Sequence, residues 1–367
     1  MIPVCEPTLE GNEEKYVQDC IESGWISSAG KYIDQFEKEF SKFCQTKHGV
    51  ACSNGTTALH LALEVAGIGK GDEVIIPTFT MIATANAVIY SGAKPVLVDA
   101  EKETWNINCG KIKEKITEKT KAIIPMHTYG HPVDMDPLME LAERHNLLVI
   151  EDAAEAHGAE YKGRRAGSLG HMGCFSFYAN KIITTGEGGM IVTDNDEFAE
   201  RARLLRNHAF SEPRFRHEEL GFNYRMTNIQ AAIGVAQMEY ADTLVQRRIK
   251  NANLYNSLLK DIPGITLPPE KAWAKNVYWM YGILIEAGFR VTAAQLREKL
   301  KKNGIDTRSF FLPMHQQPLY AKNDERFPNT NGRFPIAEEL WEKGLYLPSS
   351  SHLTEQQIKR IAETLAP

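Results

Sequence analysis

The stretch Phe175-Ser176-Phe177-Tyr178-Ala179-Asn180-Lys181-Ile182-Ile183-Thr184-Thr185-Gly186-Glu187-Gly188-Gly189 carries the clearest chemical signal in the sequence. Its first half predicts an apolar strand over residues 174–178 that delivers Lys181 into a turn. Three glycines follow within four residues, and they allow the backbone to run close to a ligand. A lysine attacks carbonyl groups well when its surroundings lower its pKa. Taken alone, a lysine in such a turn is more often an ordinary surface residue, so its neighbours in the sequence must decide.

Upstream of this stretch, short apolar strands alternate with helices. Strands are predicted at 72–77, 95–99, 122–125 and 147–152, and helices by apolar spacing at segments such as 81–91 and 134–145. Nearly continuous apolar strands of this kind are typical of a buried, mostly parallel sheet in an α/β fold. Ligands of such sheets bind beyond the carboxyl ends of the strands, so polar residues there are the candidates for function.

The two ends of the chain differ from this alternating centre. Helices are predicted near the N-terminus at 13–23 and 32–44. A long helix is predicted over 228–259, beginning with a capping box formed by Thr227 and Gln230. Beyond it, a strand-like stretch at 277–285 lies among charged helical segments. We therefore expect a large domain at 1–247, including the N-terminal segment, and a smaller α+β domain at 248–367.

Composition excludes several classes of function. The net charge of −5 over 367 residues, with no block of one sign, gives no sign of a nucleic-acid or membrane surface. No apolar run reaches the length of a membrane-spanning helix, and the first residues do not resemble a signal peptide. The six cysteines lack C-x-x-C pairing, so a zinc site or redox pair is not expected. Free thiols in a reducing cytoplasm are the simplest interpretation.

A candidate phosphate loop precedes the alternating region. Residues 53–59, Ser-Asn-Gly-Thr-Thr-Ala-Leu, lead into a predicted helix at 58–65. Small and hydroxyl residues at a helix N-terminus leave backbone N–H groups free, and the helix dipole favours an anion there. An ordinary cap by Asn54 or Thr56 would look the same locally.

Asp152 follows the strand at 147–150 and so falls on the functional rim of the sheet. A carboxylate there can hold the protonated nitrogen of a pyridine cofactor, although a helix cap or ion pair explains most single aspartates. The order of phosphate loop, strand-end Asp152 and strand-to-turn Lys181 meets the needs of pyridoxal 5′-phosphate (PLP). A dinucleotide G-x-G-x-x-G motif and a serine nucleophile elbow are absent from the sequence.

With these residues in place, the sequence resembles the nucleotide-sugar aminotransferases of the DegT/DnrJ/EryC1/StrS family over almost its whole length. The stretches that carry the resemblance are 24–28, 54–60, 151–156, 175–189, 221–228 and 313–315. Within the family it is most similar to the GDP-perosamine synthases, which aminate GDP-4-keto-6-deoxymannose. The resemblance implies an aspartate-aminotransferase fold (fold type I), with a large mixed seven-stranded sheet and a small C-terminal domain.

The resemblance also implies roles for individual residues. Lys181 matches the lysine that binds PLP as a Schiff base, Asp152 the partner of the pyridine nitrogen, and Glu155 a residue near the ring hydroxyl. The remaining cofactor positions are phosphate ligands at Gly55, Thr56 and Ser176, an asparagine from the neighbouring subunit at Asn223, and a ring neighbour at Met81. Substrate contacts are implied at Trp25, Ser27, Arg308 and His315. The resemblance further implies a homodimer with active sites at its interface, glutamate as amino donor, and pyridoxamine 5′-phosphate between the half-reactions.

Two positions depart from the relatives. Met81 stands where many relatives carry an aromatic residue, and Leu312 where perosamine synthases carry a histidine.

Three other functions stay open. One alternative is a sugar dehydratase, which in this family has histidine in place of the lysine, so Lys181 argues against it. The second is an aminotransferase for a UDP- or dTDP-linked hexose or an inosose. The third is a non-catalytic binding or regulatory protein that retains the fold.

Overall fold

A seven-stranded sheet forms the centre of the computed structural model, which describes residues 1–213, 215–321 and 324–365. Its strands, in chain order, are β1 (His48–Cys52), β2 (Glu73–Pro77), β3 (Lys94–Val98), β4 (Thr120–Ile123), β5 (Leu148–Asp152), β6 (Met172–Ser176) and β7 (Gly189–Thr193). Across the sheet the order is β1-β7-β6-β5-β4-β2-β3. Strand β7 runs antiparallel to both β1 and β6, while the other neighbours are parallel. The predicted mixed, mostly parallel sheet of seven strands is confirmed.

The four strands predicted upstream of Lys181 agree with β2 to β5 within about two residues, the usual uncertainty of such boundaries. The strand predicted over 174–178 is displaced. Strand β6 ends at Ser176, and Tyr178 already lies in the turn with 47% of its surface exposed. The turn therefore begins earlier than its apolar sequence suggested.

Helices cover the sheet and extend into the C-terminal part. In chain order they are α1 (Glu13–Ser23), α2 (Lys31–Phe43), α3 (Gly55–Val65), α4 (Ile82–Tyr90), α5 (Met135–Arg144), α6 (Asp196–Leu205), α7 (Asn228–Met238), α8 (Ala241–Leu259), α9 (Ala293–Lys302), α10 (Pro335–Lys343) and α11 (Glu355–Leu365). Shorter pieces include the helical turn Cys109–Ile112 and the hairpin strands Phe210–Ser211 and Arg216–His217. In the residues described, no helix has both the length and the apolar character needed to cross a membrane.

The single helix predicted over 228–259 is wrong, because the chain breaks between α7 and α8. The capping box at Thr227 is confirmed, with reciprocal hydrogen bonds to Gln230. At Tyr240 the backbone leaves the helical region (φ −135°, ψ 23°). Its phenol bonds to Glu13, and the neighbouring Gln237 amide donates to the Thr8 carbonyl at 2.8 Å. The break thus follows from tertiary contacts with the N-terminal segment, which periodicity does not report.

A second sheet lies in the C-terminal part of the chain. Its strands are β8 (Ile265–Thr266), β9 (Tyr281–Ile285), β10 (Arg308–Ser309) and β11 (Gly344–Leu347), in the antiparallel order β8-β9-β11-β10. The strand predicted at 277–285 starts only at Tyr281, because Tyr278 adopts a left-handed conformation (φ 48°). Helix α8 packs Leu244 into the core of the large sheet and Leu259 into that of the small one. The boundary expected at 247/248 falls between these two residues of one helix.

Candidate active site

Lys181 lies in a tight turn between β6 and β7. Its amide donates to the Tyr178 carbonyl at 2.8 Å, and the Phe177 amide donates to the Gly188 carbonyl at 2.8 Å. Gly186 adopts φ 79°, a conformation open to glycine at little cost. The side chain turns inward and keeps only 10% of its surface exposed. Lys181 is therefore not the ordinary surface lysine that such a turn alone would suggest.

Asp152 is the last residue of β5, at the carboxyl end of a central parallel strand, and is 3% exposed. Its Oδ2 accepts a hydrogen bond from the Thr84 hydroxyl at 2.6 Å, and its Oδ1 accepts one from the Ala154 amide at 3.3 Å. Burial raises the pKa of the Asp152 carboxyl, and these two donors oppose that rise by stabilising the charged form. A protonated pyridine nitrogen next to it would act in the same direction.

Glu155 faces Lys181 across the pocket, with Oε1 4.0 Å from Nζ. Its Oε2 accepts a hydrogen bond from the Tyr129 amide at 2.9 Å. Burial raises the pKa of Glu155, and it lowers the pKa of Lys181 against the attraction of Glu155 and Asp152. The amine of Lys181 therefore loses its proton more readily than an exposed lysine does, as a nucleophile and general base requires.

The predicted phosphate loop forms the start of α3 beside the end of β6. Asn54 and Thr57 build a reciprocal capping box, so the Thr57 amide is occupied. The first amides of a helix have no partner within it, which leaves those of Gly55 and Thr56 to face a ligand. A Cβ added to Gly55 would lie 2.7 Å from the Cβ of Ser176, so these two predicted ligands are brought together.

PLP requires three kinds of protein group, and the pocket contains all three. They are the cradle for its phosphate, the buried carboxylate at the sheet edge for its ring nitrogen, and the inward-facing amine for its aldehyde. Helix α4 forms a further side of the pocket. Its N-cap residue, Met81, is 46% exposed. Helix α4 then presents Thr84 to Asp152. The residues present fit the cofactor.

The predicted substrate residues at the outer loop are not joined to this pocket. Trp25 is 58% exposed and Ser27 is exposed, and their carbonyls accept hydrogen bonds from Asn228 at 2.7 and 2.6 Å. Asn223 is exposed and forms an isolated backbone bridge with Asn207. In the described ranges, no hydrogen bond or ion pair links Trp25, Ser27 or Asn223 to Lys181, Asp152 or Glu155.

The other two predicted substrate residues come from the C-terminal part. His315 is buried, with Nδ1 2.8 Å from the Thr78 hydroxyl just beyond β2 and Nε2 3.1 Å from Glu338. It therefore reaches the carboxyl end of the large sheet, but both ring nitrogens already have partners. Arg308 is exposed on β10 and pairs with Asp306.

Sequence reasoning missed three residues that shape the pocket. Thr84 carries no motif, although its place in the first turn of α4, the helix that follows β2, is a weak signal. Tyr129 supplies its amide to Glu155 from a left-handed conformation (φ 53°) that the sequence does not show. Trp279 lies with its ring centroid 3.8 Å from Lys181 Nζ, and only the docking of the small sheet brings it there.

Comparison with known proteins agrees with this geometry. The profile of the DegT/DnrJ/EryC1/StrS aminotransferase family matches residues 7–366. The GDP-perosamine synthase of Caulobacter vibrioides is 48% identical over 366 residues, covering 99% of this chain and 97% of that protein. The GDP-perosamine synthase of Escherichia coli O157:H7 is 43% identical over 365 residues, covering 99% and 97%. The PLP-form structure of Spr1654 from Streptococcus pneumoniae superposes with a TM-score of 0.93 at 28% identity, covering 99% and 97%.

Proposed function

We propose that this chain, which belongs to the DegT/DnrJ/EryC1/StrS aminotransferase family, transfers the amino group of glutamate to C4 of GDP-4-keto-6-deoxymannose and so forms GDP-perosamine. The family membership makes the chain a PLP-dependent sugar aminotransferase. The choice of nucleotide and sugar rests on the two perosamine synthases that match nearly the whole chain at 43% and 48% identity.

One observation carries the reaction class: a buried amine, Lys181 Nζ, faces a buried carboxylate at 4.0 Å in a pocket at the carboxyl edge of the sheet. A dehydratase of this family would have histidine there, and the chain has lysine. A binding protein without activity would have no need to bury an ionisable amine against Asp152 and Glu155, which costs free energy.

The cofactor, when bound, supplies a carbonyl for amino transfer and a pyridine ring that takes up electron density. We assign its phosphate to the amides of Gly55 and Thr56 and the hydroxyl of Ser176. Asp152 holds the proton of the pyridine nitrogen, and Glu155 lies near enough to Lys181 to contact the ring hydroxyl. Met81 packs near the ring as a flexible thioether.

Lys181 performs the proton transfers. Its Nζ would take a proton from Cα of the amino donor and pass it to the cofactor in the first half-reaction. In the second it would carry a proton from the cofactor to C4 of the sugar, acting in turn as general base and general acid. The lowered pKa of the amine makes the neutral, proton-accepting form more available than it is in an exposed lysine. The turn at 177–188 fixes the amine in place, so that its contribution is one of proximity and orientation.

We assign roles in a homodimer to the predicted site residues that lie outside this pocket. Asn223, Trp25 and Ser27 are exposed, and among the described residues no hydrogen bond or ion pair links them to Lys181, Asp152 or Glu155. We propose that Asn223 completes the phosphate site of a second copy. In the same dimer, Trp25 and Ser27 contact the sugar nucleotide together with Arg308 and His315.

The test is a screen of 4-keto-6-deoxyhexoses carried on GDP, UDP and dTDP, with glutamate as donor and the aminated product read by mass. The GDP-mannose derivative is expected to give the highest kcat/KM. A higher value for a UDP or dTDP sugar would overturn the proposed substrate and keep the reaction class. Absence of product from every sugar, with no visible absorbance retained by the protein after PLP is added and the unbound PLP removed, would favour a non-catalytic protein.

A further inference from the structure

Trp279 is a second close neighbour of the Lys181 amine, besides Glu155. Its ring centroid is 3.8 Å from Nζ, slightly closer than the 4.0 Å between Nζ and the Glu155 carboxylate. We infer that Trp279 is a positioning residue that holds the free amine of Lys181 against its ring between the two half-reactions. This inference rests on the proposed function, since amino transfer leaves that amine free between its two half-reactions.

The contact has the geometry of a cation–π interaction. An ammonium within about 6 Å of an indole centroid is attracted by the ring, and the attraction grows when water is excluded. Trp279 is 4% exposed and the Lys181 side chain 10% exposed, so water is largely excluded here. The Glu155 oxygen lies at the outer limit of an ion pair, which leaves the indole ring as the nearer of the two groups.

Two hydrogen bonds fix Trp279, one through its ring and one through its backbone carbonyl. Its Nε1–H donates to the Asn180 carbonyl at 2.8 Å, next to Lys181 in the chain. Its own carbonyl accepts from the Arg248 guanidinium at 2.9 Å, and Arg248, itself 3% exposed, donates from Nε to Ser351 at 2.9 Å. Trp279 is therefore tied both to the catalytic turn and to α8.

Two unfavourable backbone conformations hold the flanking groups in place. Tyr278, before Trp279, adopts φ 48°, and Tyr129, which donates its amide to Glu155, adopts φ 53°. The turns that contain these two residues are in contact. The Val277 amide donates to the Gly130 carbonyl at 3.2 Å, and a Cβ added to Gly130 would lie 2.9 Å from the backbone nitrogen of Trp279. Bulky residues adopt such conformations only where the surrounding structure imposes them.

The arrangement has a chemical consequence for the amine. Burial favours the neutral amine, whereas the indole ring and the carboxylates of Glu155 and Asp152 favour the ammonium. The thiol of Cys5 acts in the same sense, and His157, neutral because burial lowers its pKa to about 3, adds no charge. Removal of the ring should therefore lower the pKa of Lys181 and leave the amine less well localised.

The experiment measures that pKa directly in the full chain loaded with pyridoxamine 5′-phosphate, the form in which the Lys181 amine is free. Protein grown on [ε-13C]lysine is titrated by NMR, and the Lys181 signal is identified by its loss in Lys181→Arg. Trp279→Leu should lower the pKa by about one pH unit, the size of a desolvated cation–π contact. Trp279→Phe, which keeps a weaker aromatic face, should give a smaller decrease, and the half-buried control Trp273→Phe none.

An unchanged or raised pKa in both Trp279 variants would overturn the inference, because the ring would then only fill space. If Trp279→Leu does not fold, the Phe variant alone decides by the same criterion. Cofactor loading is checked first by absorbance. Failure to load, or absence of product from every sugar, counts against the proposed function, while a normal loaded enzyme with an unmoved pKa counts against the inference alone.

Discussion

The inner pocket and the outer rim of this molecule are built differently. Around Lys181, the functional groups come from five separate stretches of one chain, and each lies within about 4 Å of another. At the rim, Trp25 is 58% exposed, and its loop contacts α7 instead of the pocket. The chemical groups of the pocket are thus assembled by the fold of one chain, whereas we propose that the sugar nucleotide is recognised at a surface that a second copy completes.

This difference sets an order of expected effects. Changes in the pocket should act on kcat, since they remove groups that touch the cofactor or the reacting atoms. Changes at the rim should act mainly on KM, since they remove contacts made equally in the ground and transition states. Variants that violate this division would show that the two regions are coupled.

The largest effect is expected from Lys181→Ala. Loss of the nucleophile and the proton-transfer group together should lower kcat at least about a thousandfold. The buried site should tolerate the smaller side chain, so thermal unfolding and secondary structure should stay close to those of the unmodified protein. The assay is product formation by mass, with Lys250→Ala, an exposed lysine paired with Glu355, as control. Normal turnover by Lys181→Ala would exclude the mechanism.

Asp152→Asn should have the next largest effect. The neutral amide cannot balance a protonated pyridine nitrogen, so we expect kcat to fall about a hundred- to a thousandfold, as for removal of a buried electrostatic partner. Binding of PLP should weaken less than turnover. Steady-state kinetics and PLP titration measure the two, with Asp136→Asn on the surface as control. Equal activity of the variant and the parent enzyme would place the pyridine nitrogen elsewhere.

Thr84→Val tests the support behind Asp152. Its hydroxyl donates at 2.6 Å to the charged carboxylate, and such a bond contributes about 1.5 kcal/mol or more, so kcat should fall about tenfold. The bond lowers the pKa of Asp152. Its removal raises that pKa, and the acid limb of the kcat–pH profile should move to higher pH. Thr84→Ser should restore both values, whereas an unmoved acid limb in Thr84→Val would separate Thr84 from the catalytic ionisation.

Residues whose role follows from chain order could be predicted from the sequence. Asp152 ends an apolar strand, and Lys181 leaves another before a glycine-rich turn, so the sheet brings both to its carboxyl edge. The cap of α3 by Asn54 is a local feature and was one of the two caps expected, but the helix begins at Gly55, three residues before the predicted start at 58. The seven-stranded sheet and the fold type came from the resemblance and not from periodicity.

What could not be predicted depends on contacts between distant stretches. The break at Tyr240 arises from its contact with Glu13, more than two hundred residues away in the chain. Trp279 reaches Lys181 only because the small sheet docks beside the turn, and its neighbour Tyr278 adopts a conformation with no signature in residue type. The exposure of Trp25 and Asn223 could not be predicted either, because a resemblance to relatives implies the role of a residue but not its position in the structure.

Trp25→Ala should have the smallest effect, and it separates the two regions most sharply. If the exposed indole packs on the sugar nucleotide in the dimer, its loss should raise KM for that substrate about tenfold, the usual size of one aromatic contact. Because no bond of the described chain joins Trp25 to the Lys181 pocket, kcat and the KM for glutamate should change less than about twofold. Ile21→Ala, also exposed and close in sequence, is the matched control. A fall in kcat that equals the rise in KM would mean that the rim loop closes on the reacting atoms, and the division between the two regions would not hold.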